Sequence, residues 1–64
     1  MGKAEKIMKG IAIILKYDAD ADTCAEHDEF FCGHGVYDAM TPEDAAAMEN
    51  LDWDYEDGSW KINT

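Results

Sequence analysis

The chain contains no arginine, and between Lys16 and Lys61 it has no lysine either. Of its 15 acidic residues only Glu5 precedes Lys16, which leaves 14 acids in that unrelieved interval. A polyanion such as DNA or RNA would meet a net charge of −10 with almost no basic patch, which disfavours direct nucleic-acid binding. Long hydrophobic runs are absent too. The longest, Ile11–Leu15 (IAIIL), is too short to span a bilayer or to serve as a secretion signal, so no membrane association is expected and the expected location is the cytoplasm. There is one proline, and no glycine-rich loop, repeat or linker divides the chain. Nothing offers a cofactor cradle or an oxyanion hole, so no cofactor and no catalytic residue is expected. Two cysteines, Cys24 and Cys32, fit a reduced, partly buried pair in a cytoplasmic protein, and a disulfide closing the short loop between them is open only if the geometry fits.

What is present is an apolar share of 47%, with two Trp, three Tyr and two Phe, enough to argue for a folded domain despite the charge. At 64 residues the whole chain (1–64) is one small domain that buries about 60% of its unfolded surface. A binding surface suits such a size better than a deep catalytic pocket.

The sequence predicts an α+β fold in which a small antiparallel sheet carries one helix on one face, in the order β-β-α-β-β. The segment KGIAIILKYD alternates, with Ile11, Ile13, Leu15 and Tyr17 on one side, and reads as a central strand. AEHDEFFCG reads as a second strand ending at Gly33. TPEDAAAMEN carries the clearest helix signal: Thr41 as N-cap, Pro42 in the first turn, Asp44 completing a capping box, and Asn50 at the close. The final fourteen residues form a C-terminal β-hairpin about Asp57-Gly58, a favoured type I′ pair. This register sets Glu56 against Ser59, Tyr55 against Trp60, Asp54 against Lys61 and Trp53 against Ile62. Leu51, Trp53, Tyr55, Trp60 and Ile62 then share an apolar face, while Asp52, Asp54, Glu56, Lys61 and Asn63 share the other.

Three chemical readings compete for the acids and their neighbours. Asp18, Asp20, Asp22 and Glu29 match oxygen positions 1, 3, 5 and 12 of an EF-hand loop, which makes a divalent-cation (calcium) module the alternative function. Thr23 stands where the sharp turn needs glycine, and the flanks are not helical. Cys24, His27, Cys32 and His34 have zinc-ligand chemistry, but their spacing fits no standard structural site. Cys32 with His34, or His27 with Asp28, could suggest a nucleophile and base, yet residues so close in an extended segment rarely meet in that geometry.

The fourth reading takes the acids together. Alternate residues of a strand lie about 6.7 Å apart, not far from the spacing of phosphates along a nucleic-acid strand. Asp18-Asp20-Asp22, Glu26-Asp28 and Asp52-Asp54-Glu56 form three such rows, eight carboxylates in all, with Glu29 and Asp57 nearby. A lysine- and arginine-lined DNA groove would gain from such a surface much as it gains from phosphates. The expected partner is a basic nucleic-acid-binding protein, and the expected state is a monomer. An assembly protein held together through an aromatic face is a further possibility.

In size, charge and lack of enzymatic motifs, and in the segments CAEHDEFF and TPEDAAAMENLDWDYEDGSW, the chain resembles the small, acidic, phage-encoded anti-CRISPR proteins, several of which act as DNA mimics. The whole chain is most similar in character to inhibitors of type I systems, type I-C among them. That resemblance implies binding to the DNA-recognising surface of a Cascade-type complex inside the host cell. Anti-CRISPR proteins share no common signature, so the resemblance assigns no residue a role. DNA mimics directed at restriction enzymes or nucleoid proteins fit the composition equally well.

Overall fold

The computed structural model describes residues 2–63; Thr64, at the end of the expected hairpin segment, lies outside them. The order is α1 (Lys3–Leu15), β1 (Thr23–Glu26), β2 (Glu29–Cys32), a 3₁₀ turn (Tyr37–Ala39), α2 (Pro42–Asn50), β3 (Trp53–Glu56) and β4 (Ser59–Asn63). The four strands form one antiparallel sheet in the order β1-β2-β4-β3. The α+β class, the antiparallel sheet and the terminal hairpin are as the sequence predicts.

The expected first strand is instead, from Lys9 to Leu15, the second half of a 13-residue helix. As a helix, the segment brings Ile7, Gly10, Ile11 and Ile14 to one side, at the spacing of helical neighbours. Ile14 is fully buried and Ile7 and Ile11 pack against the core. Ala4, Glu5, Lys6 and Lys9 are good helix formers, and Glu5 and Lys9 pair one turn apart at 3.4 Å. Gly10 is required by packing, because its backbone lies against the Trp53 indole and an added Cβ would sit 2.2 Å from Nε1.

The expected second strand is a hairpin of its own. β1 and β2 pair about His27-Asp28, with Glu26 opposite Glu29 and Ala25 opposite Phe30. His27 takes the left-handed conformation (φ 53°) in the turn, a position where glycine would have announced the hairpin.

α2 begins as expected. The Thr41 side chain accepts a hydrogen bond from the Asp44 backbone N–H at 3.2 Å, and Pro42 occupies the first turn. The reciprocal half of the capping box is filled by another residue. Tyr17, just beyond α1, accepts from the Thr41 N–H at 3.2 Å and donates its hydroxyl proton to the Asp44 carboxylate. One phenol thereby ties the end of α1 to the start of α2, and Lys16 adds an ion pair to Asp44 at 2.9 Å.

The terminal hairpin has the register expected of it: Trp53 faces Ile62, Asp54 Lys61, Tyr55 Trp60 and Glu56 Ser59. Asp57 and Gly58 both have positive φ (53° and 82°), as a type I′ turn demands. Trp53, Trp60 and Ile62 are buried together with Ile14, Cys32, Val36, Met40 and Met48, forming a core between the sheet and the two helices. One assignment to the apolar face changes: Leu51 caps α2 rather than lying in the strand. Tyr55 keeps its place beside Trp60 on that face but is 39% exposed.

Candidate functional site: an acidic sheet face

Strand alternation and the register define the face of the sheet turned away from the core. It carries Cys24 and Glu26 from β1, Glu29 and Phe31 from β2, Asp54 and Glu56 from β3, and Ser59, Lys61 and Asn63 from β4. The buried side chains of the core belong to the other face, to the helices and, as Val36 and Met40, to the connection between β2 and α2. This outward face brings Glu26 and Glu29, from the middle of the sequence, together with Asp54 and Glu56 from its C-terminal hairpin.

 Glu29 and Lys61, for example, lie 32 positions apart in the chain and 2.8 Å apart across the sheet.

Lys61 stands near the middle of this face, with Asp54 directly across on one side and Phe31 on the other. Its ammonium reaches diagonally to Glu29 at 2.8 Å and to Glu56 at 2.5 Å. The hydrogen bonds it donates to these two carboxylates, Glu29 first, hold its pKa well above the usual lysine value. Glu26 is placed directly opposite Glu29, and like charges opposed across a strand pair are destabilising. Lys61 relieves Glu29 but not Glu26.

The remaining lysines with ion pairs are on or beside α1, on the other side of the sheet. Lys6 pairs with Asp52, Lys9 with Glu5 and Lys16 with Asp44. The helical layer therefore carries its own counter-charges, whereas the outward sheet face has Lys61 alone among the described residues. The charge asymmetry of the sequence becomes an asymmetry between two layers.

The ten acids predicted to form one surface are only partly gathered. Asp54 and Glu56 form a row on β3, and Glu26 and Glu29 a cross-strand pair. Asp28 and Asp57 sit in the turns of the two hairpins. Asp52 leaves the row expected of it: its φ is 70°, and its carboxylate is turned to Lys6, which holds its pKa below the ordinary aspartate range. Asp18, Asp20 and Asp22 do not form an extended row. Asp18 accepts the Asp20 N–H at 3.0 Å and its carbonyl accepts the Ala21 N–H, so the segment turns. Asp22 borders a shallow hollow it lines with Cys24, Phe31, His34 and Ser59.

The same geometry bears on the ion readings. Glu29 is occupied by Lys61 and Asp18 by its own turn, so the EF-hand positions do not converge. No three His, Cys, Asp or Glu side chains among the described residues are placed to hold a metal ion. Cys24 is exposed while Cys32 is buried on the core face.

One feature that sequence reasoning assigned elsewhere is aromatic. Tyr37 and Tyr55 stack with ring centroids 4.3 Å apart and planes inclined by 30°. The buried Trp60 lies behind both, at 5.6 and 5.7 Å. Tyr37 sits in the 3₁₀ turn, two residues after Gly35 in a segment with no strand or helix signal, so nothing in the sequence paired it with Tyr55.

No protein-family model, no curated protein and no solved structure matches the chain. No helix among the described residues is long and apolar enough to cross a membrane.

Proposed function

We propose that the protein is a non-enzymatic inhibitor that occupies a nucleic-acid-binding protein by presenting carboxylates where phosphates would sit. The observation that carries this reading is the outward sheet face: Glu29, Asp54 and Glu56 lie around a single lysine, and Glu26 opposes Glu29 directly with no lysine of its own. Self-repulsion of this kind costs stability, and it is recovered when a cationic partner covers the face. The resemblance to phage-encoded anti-CRISPR proteins supplies the first target to try, the DNA-recognising surface of a type I Cascade complex.

The test is a competition experiment. Purified type I Cascade is mixed with this protein, and target-DNA binding is followed by mobility shift over a range of salt concentrations. The expected result is loss of DNA binding that weakens as salt rises, because screening acts on both contacts. Asp54→Asn with Glu56→Gln should reduce inhibition while leaving the hairpin folded. Unchanged DNA association in the presence of bound inhibitor would rule out mimicry on this complex.

A further inference from the structure

We propose that the Tyr37–Tyr55 stack is the anchor of the partner interface and that it receives an arginine side chain of the cationic partner. This rests on the reading of the acidic face as a partner-binding surface and adds where and how the partner is gripped.

Tyr37 is 41% and Tyr55 39% exposed, although both rings belong to a packed aromatic cluster backed by a buried tryptophan. The other large exposed apolar side chains, Met8 and Leu15, are on α1. Tyrosines held rigid by their neighbours are the kind of residue on which protein interfaces concentrate binding free energy, because little side-chain freedom remains to be lost. The occupant follows from charge. Tyr55 lies on edge strand β3 between Asp54 and Glu56, whose side chains alternate to the opposite side of the strand. Asp38 follows Tyr37 in the chain and Asp57 lies in the adjoining turn. A partner wrapping the β3 edge would therefore meet carboxylates on one side and ring surface on the other. Arginine suits both, since its planar guanidinium stacks on aromatic rings and pairs with carboxylates, whereas the compact, strongly hydrated lysine ammonium is the poorer match to a ring.

The probes are an oligoarginine and an oligolysine peptide of equal length, titrated against the intact protein at low salt. Wild type should bind oligoarginine more tightly. Tyr37→Leu and Tyr55→Leu, which keep apolar bulk, should each weaken oligoarginine binding about two- to five-fold and affect oligolysine less. Tyr37→Phe and Tyr55→Phe should retain the preference. Leucine variants with an unchanged thermal midpoint that bind oligoarginine as wild type does would overturn the anchor, as would equal affinity of wild type for the two peptides. Should the leucine variants unfold, the aromatic NMR resonances of Tyr37 and Tyr55 in wild type decide: they shift on adding oligoarginine, or the proposal fails. Asp54→Asn with Glu56→Gln should weaken both peptides alike. Failure of the Cascade competition with the arginine preference intact would remove mimicry on that complex and leave the anchor standing.

Discussion

The Gly10 backbone and the Trp53 indole occupy adjoining space with no room for a methyl group between them: a Cβ at position 10 would lie 2.2 Å from Nε1 and 2.3 Å from Cε2. The close approach also brings the indole N–H to the Lys6 carbonyl at 3.0 Å. Helix propensity favours alanine over glycine in the middle of α1, yet here packing outweighs it. Gly10→Ala should destabilise the fold by about 1–3 kcal/mol, as overpacked cores do. Chemical denaturation of this variant checks the value. Combining it with Trp53→Leu should give a cost well short of the sum of the two single changes, because the clash is gone.

The two buried tryptophans should respond differently to the same change. Trp53 Nε1 has the Lys6 carbonyl as its acceptor, whereas Trp60 Nε1 is buried with no hydrogen-bond partner among the described residues. Replacing either with phenylalanine removes comparable ring volume. Only Trp53→Phe also removes a hydrogen bond, whereas Trp60→Phe removes a buried N–H that makes none. The expected outcome is that Trp53→Phe costs about 1 kcal/mol more than Trp60→Phe, read from the unfolding midpoints at equal slope.

Acid should loosen the junction between the helices. The Tyr17 hydroxyl first, and Lys16 second, hold the Asp44 carboxyl below its ordinary value of 3.8. A depressed carboxyl contributes stability that is fully present above the unfolded value and is lost as pH falls through the folded one. The contribution is thus intact at pH 7 and disappears below about pH 4. Lys6 confers the same sign on Asp52. Tyr17→Phe should therefore be less stable than wild type at neutral pH, and the gap should narrow as the solution is taken to about pH 3. Denaturation at several pH values measures the gap; one that stayed constant would show that the Asp44 bond contributes nothing.

Cys24 and Cys32 lie on neighbouring strands but on opposite faces, since Cys24 pairs with Phe31 and Cys32 with Thr23. Cys32 is 2% exposed, and burial, reinforced by the Asp18 carboxylate, pushes its thiol pKa up. A raised pKa and restricted access both suppress thiolate reactivity. Native protein should take up one equivalent of an alkylating reagent at Cys24 promptly and a second only in denaturant, as mass spectrometry would record. Mild oxidation should give no intramolecular disulfide.

How far the sequence could be read depended on whether local chemistry and tertiary packing agreed. Between Trp53 and Ile62 they agree: alternation, the Asp57-Gly58 turn and the Asp54–Lys61 pair all specify one register. Thr41 and Pro42 likewise mark the start of α2 locally. Ile11 to Leu15 is the contrary case. Four of its five residues are large and apolar, so the run supports either period, and the deciding partner is Trp53, 38 to 42 positions away. Reading back to Ile7 and including Gly10 would have shown the helical stripe. The β1–β2 hairpin escaped notice because His27 occupies a left-handed turn position without glycine. Of the acidic surface, the row on β3 was visible through its alternation. The Glu26–Glu29 pair needed the β1–β2 register, and the diversion of Asp52 to Lys6 needed α1 to be a helix.

The strand order leaves β1 and β3 as the two edges of an open sheet, and edges are where sheets of separate molecules join. Glu26 on one and Asp54 and Glu56 on the other act as gatekeepers, since a second copy would bring like charge against like. That protection depends on ionisation. As the solution approaches the sequence pI of about 4.2, the carboxylates lose charge and the barrier to edge-to-edge association falls with it. The groups proposed for recognition are also those that keep the protein dispersed, so every carboxylate neutralised to probe binding also lowers colloidal stability.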